Sequence, residues 1–232
     1  MTALQDFTDF LKTVDLVGYR QRYSKIKIVE MDMPENVQAI SLLYTVYWSE
    51  RKFIGFEDFY KRYLKEHSTE LEAFRLDTTL CKDDFYRGLE ARIYRTWAGL
   101  ITQIHAGYVA ESVFGKDSVS MSAELDYQGA DIRVEYKEHF VNYQIKKTSY
   151  SGVRSPRPLS SSKKLNGERI DINYEVPNSF YFDNPKTKGG NYRKPYLRFM
   201  NDTRFKRLDN GFVIFTADAF THKKVEIDAK AR

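Results

Sequence analysis

The stretch Asp131-Ile-Arg-Val-Glu-Tyr-Lys-Glu-His-Phe-Val-Asn-Tyr-Gln-Ile-Lys146-Lys147 decides how the rest of the chain is read. Strict alternation makes it two strands joined by a short polar turn. Ile132, Val134 and Tyr136 share one face with Val141, Tyr143 and Ile145. The other face carries Asp131, Arg133 and Glu135, then Asn142, Gln144 and Lys146. An acid at the start of one strand therefore lies beside Gln-x-Lys on its partner. A carboxylate offers oxygen to a hard divalent cation, and a neighbouring amine can orient water or steady a phosphate in phosphodiester hydrolysis.

Working outward, residues 83–114 form one long helix, capped by Asp83 or Asp84 and ended by Gly115, with Ile93, Trp97, Leu100, Ile104, Val109 and Val113 on its apolar positions. Strands are expected near 118–125, 130–137 and 140–147. A long polar segment follows to about 192, with short strands near 170–175 and 179–182. A helix over 194–208 and a buried strand at Phe212–Phe215 complete the pattern. Before this core the chain reads as helical: Phe7, Phe10, Leu11 and Val14 form one stripe. Val37, Ile40, Leu43 and Tyr44 form a second behind Pro34, and Phe56, Phe59, Tyr60, Tyr63 and Leu64 a third. Such stripes are core and carry no chemistry.

Length and composition narrow the class. The chain has 232 residues, enough for one domain with a helical cap. Its single cysteine, Cys81, excludes a disulfide framework, and His67, His105, His139 and His222 lack metal-ligand spacing. No run of 18 apolar residues exists and the N-terminus is acidic and amphipathic, so a soluble, cytoplasmic protein is expected. The net charge of +5 is unevenly spread: residues 141–232 hold 19 Lys and Arg against 9 Asp and Glu, and residues 1–140 hold 18 against 23. A basic half that begins at the Gln-x-Lys strand argues for a polyanionic partner.

Three stretches carry a family resemblance: FYRGLEARIYRTWAGLITQIHAGYVAESVFG (85–115), MSAELDYQGADIRV (121–134) and YQIKK (143–147). They resemble the TaqI family of type II restriction endonucleases. That family is a branch of the nuclease superfamily whose motif is Pro-Asp…(Asp/Glu)-x-Lys, and Gln144 stands where a second acid is usual. The resemblance implies an α/β fold: a restriction-endonuclease-like α/β/α core with a central mixed β-sheet and an N-terminal helical region. Residues 1–82 would form that helical region, and 83–232 the nuclease core, with a basic DNA-recognition insertion at about 150–195. It also implies Mg²⁺ as cofactor, double-stranded DNA as substrate, a short palindromic target such as TCGA, a homodimer, and a cognate DNA methyltransferase as functional partner.

Asp131 is the expected metal ligand, its other role being to close the turn after Gln128-Gly129. Lys146 is expected to be catalytic on parity. Lys147, in phase with the apolar face, would snorkel from it or contact phosphate, unless a bulge reverses the two. Gln144 would be a neutral, weaker ligand, so a further acid is wanted, and Asp126 and Glu111 are the candidates. Arg154, Arg157, Lys163, Lys164, Arg169, Arg193 and Lys194 are expected to bind DNA, lysines through phosphate and arginine forks also through guanine edges. A solvated loop is the other reading of that segment. Two further functions fit the same residues: a structure-specific or repair nuclease of the superfamily, and a non-catalytic nucleic-acid-binding module. Divalent-metal dependence separates the module from either enzyme.

Overall fold

The computed structural model describes residues 2–29, 33–148 and 165–231. The chain divides into two compact units, Met1–Ile104 and His105–Arg232.

The first unit is helical. It contains α1 (Ala3–Thr13), α2 (Leu16–Tyr23), a short 3₁₀ turn at Glu35–Val37, α3 (Ile40–Leu43) running into a π turn at Tyr44–Ser49, α4 (Phe56–Glu66) and α5 (Ser68–Asp77). The 33-residue α6 (Lys82–Phe114) contributes its residues up to Ile104. Side-chain caps start the first two helices, Thr2 accepting from the Gln5 amide and Asp15 from the Gly18 amide. Phe7, Phe56, Phe59, Tyr63 and Trp97 are fully buried. Phe56 meets Tyr94 edge-on at 5.4 Å, and Tyr23 lies 5.0 Å from Tyr94. The polar ring atoms keep partners: Trp97 Nε1 donates to Tyr47 Oη (2.7 Å), Tyr47 to the Ile54 carbonyl (2.7 Å), and Tyr63 to the Val37 carbonyl (2.7 Å). The high aromatic content is thus largely core, each buried ring contributing roughly 1.5–3 kcal/mol. Gly88 on α6 sits so close to Ile28 and Val29 that a Cβ there would lie 2.8 Å from Ile28 Cβ.

The second unit holds the sheet. β1 (Val119–Ser120), β2 (Ile132–Tyr136), β3 (His139–Thr148) and β4 (Glu168–Glu175) lie in that order. The pairs β1·β2 and β2·β3 are antiparallel and β3·β4 is parallel, which makes the sheet mixed. Lys137 and Glu138, both at positive φ (47° and 62°), turn β2 into β3 as a tight hairpin. The expected faces are present: Ile132, Val134, Val141, Tyr143 and Ile145 are buried, joined by Ile172 and Tyr174 of β4. Against this side packs α10 (Asp218–Lys230), whose Phe220 meets Tyr143 edge-on at 5.1 Å. Lys223 of α10 is nearly buried and is held by Glu168 (2.6 Å) and Glu226 (2.9 Å). The hairpin of β5 (Phe205–Arg207) and β6 (Val213–Phe215) packs against Tyr174, Phe205 tilted to its ring and Phe215 edge-on. A mixed α/β unit with a central mixed sheet and an N-terminal helical region are thus present, as the family resemblance implies. Among the described residues no helix is long and apolar enough to cross a membrane.

Three local expectations are corrected. The strand expected over 118–125 is two residues long, because the Ser122 hydroxyl accepts from the Leu125 amide (3.2 Å) and starts a helix, α7 (Ala123–Tyr127). Residues 179–182 are helical, in α8 (Ser179–Asp183), capped by Asn178. The helix expected over 194–208 is α9 (Lys194–Asn201), which stops at Asp202 before the chain turns extended into β5.

Candidate active site

Asp131 precedes β2 and is 3% exposed. Its amide donates to the Tyr143 carbonyl (2.9 Å), and its Oδ2 accepts from the Ile145 amide (2.5 Å). The carboxylate is therefore fixed to the middle of β3 by both backbone and side chain. The register that pairs Ile132 with Tyr143 sets Asp131 opposite Gln144, with Lys146 one position further along the same face. Pairing with β2 and β4 runs along β3 without interruption, so no bulge shifts the parity. Lys146 lies on the polar face with Gln144, whereas Lys147 occupies the alternate phase and is exposed.

Asp126 reaches Asp131 because of how α7 ends. The Ala130 amide donates to the Leu125 carbonyl and the Gly129 amide to the Asp126 carbonyl, both at 2.9 Å, with Gly129 at φ +85°. This paired closure requires a left-handed residue after the helix, a conformation glycine adopts without Cβ strain. It folds Asp126 back toward Asp131, near enough for the charge of one carboxyl to act on the other. Burial pushes Asp131 well above the usual carboxylate range; the Ile145 amide opposes this, and the Asp126 charge adds to it. Burial raises Asp126 as well. A buried carboxyl beside a half-buried one resists losing its proton, since charging either penalises the other. Such a pair fits a hard divalent cation, which would take the proton's place and receive charged oxygen donors.

The neighbouring strand adds residues that the sequence pattern did not single out together. Lys146 Nζ donates to Asp171 Oδ2 (2.6 Å), and Arg169 Nε to Asp171 Oδ1 (3.0 Å). Arg169 Nη2 also donates to Gln144 Oε1, the amide oxygen that would face a cation. Asp171 is the cross-strand partner of Gln144 in the parallel pair. Burial would raise its carboxyl, but the hydrogen bonds from Lys146 and Arg169 outweigh it and hold the group below the usual range. Sequence reasoning missed Asp171. The available signal was the alternation of Arg169, Asp171 and Asn173 with Ile170, Ile172 and Tyr174, which marks a second polar-faced strand.

One face of the sheet thus brings together Asp126, Asp131, Gln144, Lys146, Arg169 and Asp171. Glu111 is half-buried on the last turns of α6. Arg193 donates to the Asn184 carbonyl (3.0 Å) and lies over the Phe180 ring (5.2 Å). Lys194 opens α9 and, with Arg198 and Arg204, lines a cleft of about 660 Å³. Arg154, Arg157, Lys163 and Lys164 lie outside the described residues.

Residues 4–226 match a family model described as TaqI restriction endonuclease. A type II restriction enzyme of Thermus thermophilus is 29% identical over 220 residues, a match covering 92% of this chain and 83% of that enzyme. The type II restriction enzyme TaqI of Thermus aquaticus is 31% identical over 223 residues, with the same two coverages. No solved structure matches. With the family model spanning nearly its whole length, the chain belongs to the TaqI restriction endonuclease family and is a hydrolase of the site-specific deoxyribonuclease class.

Proposed function

We propose that this endonuclease requires Mg²⁺ and cuts both strands of a short palindrome, TCGA, from the face that carries Asp131. The observation supporting this reading is the convergence of two neighbouring acids, Asp126 at the end of α7 and Asp131 before β2, with Gln144 and Lys146 on one polar face of the mixed sheet. Asp131 and Asp126 would hold the ion, with Gln144 as a neutral donor once Arg169 yields its amide oxygen and Glu111 as a further acid. The bound ion supplies Lewis-acid charge to the phosphate. Lys146, anchored at the strand's polar face, orients water for in-line attack on phosphorus and adds positive charge as the phosphate gains negative charge. As the new P–O bond forms, the bond to the leaving 3′ oxygen breaks; the water's proton passes to solvent and the 3′ oxygen takes one up, leaving a 5′ phosphate and a 3′ hydroxyl.

In this reading residues 83–232 are the nuclease core and residues 1–82 a helical region. The basic stretch at about 150–195 binds the duplex: Lys163, Lys164 and Lys194, together with Lys147 at the end of β3, contact phosphate, and Arg154, Arg157, Arg169 and Arg193 are the pool from which base-reading forks are drawn. Cutting two strands of a palindrome calls for two sites related by a two-fold axis, hence a homodimer. The enzyme would work in the cytoplasm, with a DNA methyltransferase of the same specificity protecting the host.

Incubation with plasmid DNA tests the proposal. Discrete fragments ending at TCGA, formed with Mg²⁺ and absent in EDTA, are expected. A smear would instead indicate an unspecific or repair nuclease, and uncut plasmid a binding module.

A further inference from the structure

Asp171 has no assigned role, yet it touches two cations of the site. Its two oxygens are divided between them, Oδ2 to Lys146 and Oδ1 to Arg169, while Arg169 also grips Gln144. Side-chain exposures of 37% for Lys146, 34% for Arg169 and 36% for Asp171 place the cluster at the solvent boundary. Ion pairs at that exposure contribute little to folding. They do fix geometry: an aspartate is short, it stands on a strand hydrogen-bonded to β3, and it is in register with Gln144. A lysine left alone would sample many rotamers across the face.

We propose that Asp171 is a positioning residue of the active site: from β4 it sets Lys146 in the place that the reaction needs. Because its Oδ2 is engaged by the Lys146 amine and its Oδ1 by Arg169, it acts through the Lys146 side chain. The inference rests on the reading of Lys146 as catalytic. It also accounts for the absence of an acid at position 144: the charge that would balance Lys146 and Arg169 comes from the next strand.

The test is a double-mutant cycle on cleavage of a TCGA duplex at saturating Mg²⁺, using the full chain. Asp171→Asn is expected to lower kcat by tenfold or more with KM within about twofold, since an ordering contact near the reacting phosphate acts on the chemical step. Asp171→Glu should restore part of the loss, and the thermal midpoint of each variant should stay within a few degrees of wild type. Lys146→Ala combined with Asp171→Asn should cut no more slowly than Lys146→Ala alone, because a residue acting through Lys146 has nothing left to position. Multiplicative losses in the double variant, or Asp171→Asn with wild-type kcat beside an inactive Lys146→Ala, would overturn the inference while leaving the site reading standing. A fully active Lys146→Ala would overturn both.

Discussion

Removing one charge from the Asp126–Asp131 pair should make the metal-free protein more stable. Asp131→Asn keeps the shape of the side chain: its Oδ1 can still accept from the Ile145 amide, and its new amide can donate to Asp126. What disappears is the cost of charging a buried carboxyl beside a second acid. A carboxyl that holds its proton more tightly in the folded chain than in the unfolded chain loses stability for the fold as pH rises. The fold is favoured most where both states are protonated, and the contribution falls from the ordinary carboxylate range up to that of the folded pair. Burial and the neighbouring acid raise Asp131, and burial raises Asp126, so the wild-type fold is penalised at pH 8. Each tenfold by which the folded site prefers its proton is worth about 1.4 kcal/mol. A tenfold to hundredfold preference gives about 1.4–3 kcal/mol, or roughly 3–10 °C in Tm for a chain of this size. Thermal melts in EDTA should therefore place Asp131→Asn above wild type at pH 8, with a gain that shrinks as pH falls and vanishes only below the ordinary carboxylate range. Adding Mg²⁺ at pH 8 should raise wild type and leave the variant nearly unmoved. Equal midpoints at pH 8, or a gain that persists undiminished below the ordinary carboxylate range, would refute the picture of a buried carboxyl charged beside a second acid.

Gly129→Ala should cost about 1–2 kcal/mol, because the left-handed turn that ends α7 disfavours a Cβ; cleavage should fall further than stability explains, since the same turn carries Asp126 to Asp131. Lys146→Ala should lose more activity than Lys147→Ala, measured as kcat on the same duplex; the opposite order would contradict the face assignment. Neutralising Lys163 and Lys164 together should weaken binding about equally on cognate and non-cognate DNA and flatten the salt dependence. Unchanged affinity at two salt concentrations would remove that pair from the interface.

The hairpin at 131–147 was legible because its alternation is strict and its turn is short, so pairing is local and both faces follow from parity. The long helix α6 was legible for the same reason, its periodicity being sustained over many turns. Contacts distant in sequence were less visible. β4 pairs with β3 in parallel across the intervening segment, and no local signal names its partner, so Asp171 stayed hidden beside Gln144. Helix α10 escaped notice because its inward positions, Phe220, Lys223 and Ile227, have a lysine in the middle of the stripe; only Glu168, on another element, explains how that lysine is buried. At 118–125 the apolar alternation suggested a strand, but the Ser122 cap and the glycine closure of α7 won locally. That reversal is what brings Asp126 to the site on a helix end rather than on a strand.

The central claim is that Asp131 anchors the chemistry. Its most direct test is the cleavage rate of a TCGA duplex by Asp131→Ala at saturating Mg²⁺, alongside DNA affinity measured without divalent ion. The account predicts a rate at least a hundredfold below wild type with affinity retained or tightened, because the substitution removes a cation ligand and a negative charge near phosphate. Cleavage within tenfold of wild type would contradict it.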